Sequence, residues 1–271
     1  MPIDRITLFC FGASYAVALA LEIFRLLKPG GTVRVLAVVF GGAGLLAHSL
    51  YLIGQRISPA SQAGTLLFLA WILTMFYIYG ALHHSKLAWG LFVLPVILAL
   101  TVLASWEGYA PSDTPGATAY DYRSFWRILH IALFVLAAVG ISVAAIASVM
   151  YIVQARRLKA KMLPRQGMQL LSLERLEAMS RRGIALAFPL LTVGLLVGLV
   201  ELIREGGRLP GWSDPRIIST FVLWLVFAIL LYLRYSYHLR GRRVAWMTIM
   251  AFALLLVTLA TSHSWTSGGT P

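Results

Sequence analysis

Eight apolar runs, each close to the length that crosses a lipid bilayer, dominate this sequence. A spanning helix needs roughly 17–25 predominantly apolar residues. The runs lie at about residues 6–27, 33–55, 62–82, 87–105, 126–153, 183–204, 217–234 and 244–261. Backbone groups in lipid must be hydrogen-bonded within the chain, and runs that are apolar on every face favour helices over strands. The sequence therefore predicts an all-α polytopic membrane helical bundle, with eight transmembrane helices in a single integral-membrane domain covering residues 1–271.

The composition excludes an ordinary water-soluble globule. Hydrophobic residues make up 59% of the chain and charged residues 12%, whereas soluble domains carry about 25% charged residues. A single cysteine, Cys10, excludes an internal disulfide. Asp4 and Arg5 make a poor basic start, and the stretch 22–25 is a poor small-residue cleavage site. The first run is therefore expected to be a retained span and not a cleaved signal peptide.

The distribution of charge predicts the orientation. Sixteen of the 23 Lys and Arg residues fall in one set of alternate loops, which carries only two acidic residues. The other set holds seven cations against seven acids. Cytoplasmic loops carry the excess of cations, so both termini are expected to be external. The net charge of +13 is then a topology signal that requires no nucleic acid partner, and we expect a multi-pass protein of a bacterial cytoplasmic (inner) membrane.

Two loops have features of their own. The cytoplasmic basic loop 154–182 places Leu170, Leu173 and Leu176 at helical spacing, which suits a helix lying on the membrane surface. The external loop 205–216 ends in Trp212-Ser-Asp214-Pro-Arg. Asp followed by Pro is a good N-cap and N1 pair. Capping of the seventh span would explain Asp214 but leaves Trp212 without a role.

Six histidines divide by topology into two groups. His83, His84 and His238 fall at cytoplasmic span ends beside basic residues, where a solvated interface explains them; His48, His130 and His263 fall toward the external face. Polar residues inside a bilayer are costly and often functional, although each alone could simply form a hydrogen bond between helices. Neutral imidazole ligates zinc, copper or haem iron. No carboxylate or thiolate clusters closely with these histidines in sequence, which disfavours catalytic zinc and favours a flat ligand with two axial imidazoles.

Aromatic residues and arginines surround the external histidines in the predicted topology. The arginines are Arg123, Arg127 and Arg216, and each could pair with a haem propionate because guanidinium binds carboxylates bidentately. The external aromatics, taken alone, would also fit the aromatic belt found at membrane interfaces.

Several segments of the last 150 residues carry a family resemblance. They are Leu129-His-Ile-Ala-Leu-Phe-Val-Leu-Ala-Ala, Tyr151-Ile-Val-Gln-Ala-Arg-Arg-Leu-Lys, Leu171-Ser-Leu-Glu-Arg-Leu-Glu, Phe188-Pro-Leu-Leu-Thr-Val-Gly, Trp212-Ser-Asp-Pro-Arg and Trp224-Leu-Val-Phe-Ala-Ile-Leu-Leu-Tyr-Leu-Arg. With these segments the chain resembles the cytochrome c assembly membrane proteins, the haem-handling CcsA and HemX group with a tryptophan-rich external motif. The first 100 residues resemble the group through span count and His48.

The resemblance implies a non-covalent, b-type haem at the external face. Its iron would be ligated by His130 and His263, with Trp212 and Asp214 beside it, and His48 would be an alternative ligand for haem entering from within the membrane. The tryptophan cluster is reduced to Trp212, and the chain stops eight residues after His263. Both features place the chain closest to the small eight-span HemX-like branch.

The function expected from this resemblance is to hold or deliver haem for cytochrome c maturation. The protein would act as a haem chaperone or transporter component more than as an autonomous catalyst, in contact with the lipid bilayer and with apocytochrome c or another maturation protein. One alternative is a HemX-like regulator of haem biosynthesis that acts through a cytoplasmic partner on the loop 154–182. Another is a non-haem accessory subunit of a membrane complex.

Overall fold

Helices account for all the regular structure that we describe, apart from one isolated bridge between Leu87 and Gln169. The computed structural model describes residues 7–28, 30–59, 61–84, 87–106, 125–161, 169–204, 215–236 and 241–261. The helices are α1 (Leu8–Leu27), α2 (Gly31–Gly54), α3 (Gln62–His83), α4 (Gly90–Trp106), α5 (Phe125–Lys159), α6 (Leu173–Arg204), α7 (Pro215–Ser236) and α8 (Arg242–Thr261).

The prediction of an all-helical membrane protein is confirmed. Within the described ranges, seven helices are long and apolar enough to cross a bilayer. The exception is α4, which has 17 residues and lies at the short end of the spanning range. It occupies the place of the predicted span 87–105.

The contacts divide the chain into two compact units. Unit 1 comprises residues 1–113 and 156–172, and unit 2 comprises residues 114–155 and 173–271. In unit 1, α1 packs against α2 and α4, and α3 packs against α2 and α4. These four pairings form a closed ring of four helices, with the apolar side chains of α3 and α4 among the most deeply buried.

One end of unit 1 is tied together by two arginine side chains, of which Arg25 is buried and Arg34 half-buried. Arg25 Nη2 donates to the Leu87 carbonyl at 2.7 Å and lies 3.4 Å from Glu22 Oε2. Arg34 Nη2 donates to the Ala81 carbonyl at 2.7 Å, at the end of α3. Glu22 and Arg25, three residues apart on α1, thus form an ion pair, and both side chains are buried.

In unit 2, small residues bring α5 and α6 into close antiparallel contact. A Cβ added at Gly183 would lie 2.7 Å from the Gly140 carbonyl oxygen, so the two backbones touch at this point. Further along the same interface, the hydroxyls of Ser148 and Ser180 are 3.1 Å apart. Close backbone approach at small residues is a common way to hold helices together in lipid. The next helix, α7, packs against α6 and α8.

The start of α6 differs from the sequence prediction. The helix runs without interruption from Leu173, so Leu173 and Leu176 lie in its first turns and not in a separate surface helix. The predicted span 183–204 is the later part of the same helix, and residues 162–168 of the basic loop lie outside the described residues. No proline falls between Leu173 and Gly183, so nothing ends the helix where the charged residues begin. Pro215 is the first residue of α7, in agreement with its predicted N1 position.

Candidate functional site

Two of the predicted site residues, His48 and His130, lie in the described part of the chain. Arg127 and Arg216 lie in the first turns of α5 and α7, but their side chains are outside the description. The remaining predicted site residues, His263, Trp212, Asp214 and Arg123, also lie outside the described residues. The sandwich of one flat ligand between His130 and His263 therefore stays a prediction.

His130 is held by a backbone carbonyl of the neighbouring helix. It lies in the second turn of α5, and its Nδ1 is 2.7 Å from the carbonyl oxygen of Gly194 on α6. The ring fits against α6 because Gly198 has no side chain. A Cβ at that position would be 2.8 Å from both Nδ1 and Cε1 of His130. Gly194 thus supplies the acceptor, and Gly198 supplies the room.

This hydrogen bond determines which nitrogen of His130 is available. A carbonyl oxygen can only accept, so Nδ1 must carry the proton and donate it. In a neutral imidazole Nε2 then keeps its lone pair, which is the usual state of a histidine metal ligand. Among the described residues, Nε2 of His130 has no hydrogen-bond partner. The side chain is only partly buried.

His48 lies in a closed aromatic box within unit 1. Its side chain is fully buried on α2. The Phe11 ring of α1 stacks on the imidazole, with centroids 4.2 Å apart and an angle of 4° between the planes. Tyr51, one turn after His48, also packs against the Phe11 ring, with the two ring centroids 5.4 Å apart. These contacts fix the plane of the His48 ring.

Tyr15 occupies the Nδ1 side of the same box. Its hydroxyl lies 3.2 Å from His48 Nδ1. Gly44 makes space for the tyrosine, since a Cβ there would be 2.5 Å from Tyr15 Cε1. The opposite nitrogen, His48 Nε2, is buried and has no hydrogen-bond partner within the described structure.

Both histidines fit the chemistry of an axial haem ligand. Each engages Nδ1 with an oxygen atom and leaves Nε2 without a partner among the described residues. A haem iron needs only such nitrogens from the chain, and the porphyrin supplies the rest. A multi-ligand site fits less well, because the described residues contain no group of three or more His, Cys, Asp or Glu able to hold a metal ion.

Two of the three histidines predicted to lie at cytoplasmic span ends are within the described residues. His83 and His84 are exposed, and His83 stacks on Tyr79 with ring centroids 4.1 Å apart while its Nδ1 lies 3.0 Å from the Tyr79 carbonyl oxygen. His238 lies outside the described residues. The exposure of the first two agrees with the interpretation of a solvated span end.

The residues that hold the two imidazoles were not predicted from the sequence. Gly194 and Gly198 are four apart within an apolar span, a spacing typical of close helix contact in membranes, so a signal was present. Tyr15 and Phe11 lie in an apolar run with no distinguishing spacing. Their contact with His48 arises from the packing of α1 on α2.

The described helices are those of a polytopic membrane protein, and two of them carry an imidazole whose Nε2 has no partner among the described residues. The family model described as cytochrome C assembly protein matches residues 60–269. The chain belongs to the cytochrome c assembly protein family.

Individual relatives agree with this assignment at low identity. The cytochrome c biogenesis protein CcsA of Gloeobacter violaceus is 23% identical, over 91% of this chain and 87% of that protein. The protein of the same name from Mesostigma viride is 22% identical, over 95% of this chain and 93% of its own length. The CcsA protein of Chlamydomonas reinhardtii is 24% identical over 70% of this chain, and the match spans 54% of that protein. No solved structure matches the chain.

Proposed function

We propose that this protein holds haem in the membrane for cytochrome c maturation, with His130 as an axial ligand of the haem iron. The relatives named above are cytochrome c biogenesis proteins, and the family match supports a part in that process. The observation that carries the assignment of His130 is its 2.7 Å hydrogen bond from Nδ1 to the Gly194 carbonyl, which leaves Nε2 as the ligating atom.

The second axial ligand in this proposal is His263. His130 and His263 would hold the haem iron together, and two protein ligands would leave oxygen no open coordination site. Trp212 and Asp214 would form a wall of the pocket, and the propionates would pair with Arg123, Arg127 and Arg216. The bound haem would be b-type, held without a covalent bond until transfer.

Bound haem supplies the redox-active iron and the vinyl groups that react with apocytochrome thiols; the protein supplies ligation and orientation. The contact between α5 and α6 orients the His130 ring. Gly194 fixes the rotation of the His130 ring, and Gly198 lets the ring lie flat against α6. The protein would act in a bacterial cytoplasmic membrane, and apocytochrome c or another maturation protein would accept the haem.

His48 has a separate place in the proposal. Its buried Nε2 is a second imidazole nitrogen able to receive iron from within the membrane. This nitrogen is buried, so a ligand at this site requires neighbouring side chains to move aside. We assign His48 to a transient haem position and His130 to a more accessible one.

An absorption spectrum of the detergent-purified, full-length protein tests the proposal. We expect the reduced and oxidised forms to show the low-spin bands of a haem with two imidazole ligands. Protein that stays colourless after growth with added haem precursor, and after addition of haem to the purified sample, would contradict the proposed function and favour the accessory-subunit alternative.

A further inference from the structure

A small, half-open pocket lies among the ends of four helices in unit 2. Its volume is about 230 Å³, including the part open to solvent, and the space suited to a water-sized group is about 10 Å³. That space holds about one oxygen-sized atom. Its polar lining comes from α5, α6, α7 and the turn before α8, through Ser148, Tyr151, Glu177, Ser180, Arg234 and Gly241.

Arg234 brings to this pocket a charged nitrogen that lacks an acceptor. The residue is only 8% exposed. Its Nη2 donates to the main-chain carbonyl of Glu177 at 3.0 Å, whereas Nη1 is buried and has no hydrogen-bond partner among the described residues. A guanidinium can only donate, and a buried charged donor without an acceptor is costly. The position therefore calls for an acceptor from outside the described chain.

The hydroxyl of Tyr151 is a second donor without an acceptor in the same lining. No described residue pairs with it. It lies against the turn before α8, where a Cβ added at Gly241 would be 3.2 Å from the hydroxyl oxygen. The tyrosine and Arg234 thus offer protons from two different helices, α5 and α7, to whatever occupies the pocket.

The two serines of the lining satisfy each other and leave this demand unchanged. Ser148 donates its proton to the carbonyl oxygen of Ala144 at 2.8 Å. Because a serine has only one hydroxyl proton, Ser180 must be the donor in the 3.1 Å contact between the two hydroxyls. The pocket therefore has donors in excess of acceptors, which suits an anionic oxygen.

The pocket lies at the depth of lipid headgroups. The apolar stretch of α7 ends at Tyr235, one residue after Arg234, and that of α8 begins at Arg242. Hydrocarbon gives way to headgroups where spanning segments end. Exposed cations surround this end of the unit, and basic pockets between helix ends bind anionic headgroups. These cations are Arg181, Arg182, Arg242 and Arg243.

We propose that this pocket binds the oxyanion of a phosphate group, with one oxygen accepting from Arg234 Nη1 and from the Tyr151 hydroxyl. Arginine pairs well with phosphate, whereas a water molecule would bring no charge to balance the guanidinium. The depth of the pocket favours an anionic phospholipid as the source, and free phosphate is the other source of the same chemistry. His130 lies 21 residues before Tyr151 on α5, about 30 Å along the helix, so the site is independent of the proposed haem position.

Native mass spectrometry of the full-length protein, delipidated in detergent and titrated with phosphatidylglycerol, tests this proposal. We expect one tightly held lipid per chain, and an affinity about tenfold or more weaker in Arg234→Gln, because hydrogen bonds to a charged group are lost. Arg243→Gln is the matched control, since it removes an exposed charge at the same end of the unit and should change the affinity little. Equal losses in both variants would overturn the pocket in favour of general attraction to a basic surface.

Tyr151→Phe tests the site with the least risk to the fold. It removes a hydroxyl that has no partner among the described residues, so the unfolding temperature of the lipid-free protein should be unchanged while the affinity falls several-fold. Tyr235→Phe is its matched control, because Tyr235 is exposed and does not line the pocket. Binding that is unaffected by both Tyr151→Phe and Arg234→Gln would overturn the proposal.

Inorganic phosphate, added in place of the lipid, distinguishes the two sources. If the site takes a lipid headgroup, millimolar phosphate should neither displace phosphatidylglycerol nor raise the unfolding temperature of the delipidated protein. Phosphate that does both in the unmodified protein, and does neither in Tyr151→Phe, would identify the soluble ion as the ligand. A protein that binds neither would refute the phosphate site, whatever its haem content.

Discussion

At the scale of single residues, the two imidazoles differ in access and not in the nitrogen they offer. His130 Nδ1 is engaged by a main-chain carbonyl, and its side chain is only partly buried. His48 Nδ1 is engaged by a tyrosine hydroxyl, and its side chain is fully buried. The carbonyl can only accept, so the tautomer of His130 is set by one contact, whereas the tyrosine hydroxyl beside His48 can donate or accept.

Gly198→Ala should disturb His130 without touching the ligating atom. The new methyl group would lie 2.8 Å from the imidazole ring, and the ring must shift away from the Gly194 carbonyl. Overpacking of this kind costs about 1–3 kcal/mol, so we expect haem affinity to fall by about tenfold or more. A haem titration followed by absorbance measures the change.

Gly194→Ala is the control for this prediction. A Cβ at Gly194 meets Leu133 Cβ at 3.5 Å and the His130 carbonyl oxygen at 4.0 Å, which are ordinary contact distances. The variant keeps the backbone acceptor of His130. If Gly194→Ala and Gly198→Ala weakened haem binding equally, general damage to the α5–α6 contact would explain the result better than a displaced ring.

At the scale of the helices, the polar ties of unit 1 connect the end of one helix to the start or end of another. Arg25 of α1 reaches Leu87, which comes just before α4, and Arg34 of α2 reaches Ala81 near the end of α3. Ala81 lies in the last turn of α3, where carbonyls lack partners within the helix, and Arg34 satisfies its carbonyl. Leu87 lies between α3 and α4, and Arg25 satisfies its carbonyl.

The Glu22–Arg25 pair should behave as one unit in stability measurements. Glu22→Gln leaves the Arg25 charge buried without its anion, and loss of one partner of a buried pair costs about 3–5 kcal/mol. The double variant Glu22→Gln/Arg25→Gln removes both charges and should be destabilised by less than the sum of the two single changes. Thermal unfolding in detergent measures all three variants.

Lys28→Gln is the matched control for that cycle. Lys28 follows α1 and is exposed, so removal of its charge should leave the unfolding temperature almost unchanged. Strictly additive effects of the Glu22 and Arg25 substitutions would show that the two side chains do not stabilise each other.

The helices were more predictable than their ends. All eight apolar runs coincide with helices, because the need to satisfy backbone groups in lipid leaves few alternatives. The first ten residues of α6 were predicted outside the span, since Glu174, Arg175, Arg181 and Arg182 mark where apolar sequence ends. Charge limits the membrane-facing segment, but helix continues into the polar region until a breaker or a tertiary contact stops it.

Within the candidate site, the sequence predicted the candidate ligand histidines but not the residues that surround them. His48 and His130 stand out because imidazoles are rare in apolar runs. The partners of His48 do not stand out: Phe11 and Tyr15 are 37 and 33 residues from it in sequence, and nothing in a single helix shows which of its faces meets a neighbour. Contacts between helices depend on packing, which periodicity alone does not specify.

At the scale of the whole molecule, the charge distribution predicts the orientation in the membrane. The sixteen cations of the basic loops should remain on the cytoplasmic side, because moving them across the bilayer is unfavourable. We expect Arg165→Cys, introduced into a Cys10→Ser background, to react with a membrane-impermeant thiol reagent only after the membrane is opened. Cys10 is the sole native cysteine, so the background variant removes competing label.

A cysteine placed in the other set of loops provides the opposite control for orientation. Asp113→Cys in the same background should react in intact cells or spheroplasts, since the loop holding residue 113 is predicted to be external. Labelling of residue 165 from the outside, with protection of residue 113, would reverse the predicted topology and move the proposed haem position to the cytoplasmic face.

The absorption spectrum of His130→Ala, compared with that of His83→Ala, tests the central claim most directly. His83 is an exposed interface residue stacked on Tyr79, so His83→Ala should keep the spectrum of the unmodified protein. His130→Ala should lose the low-spin bands, and added imidazole should partly restore them by supplying the missing nitrogen. A His130→Ala protein with unchanged low-spin haem, or loss of haem in His83→Ala instead, would contradict ligation by His130.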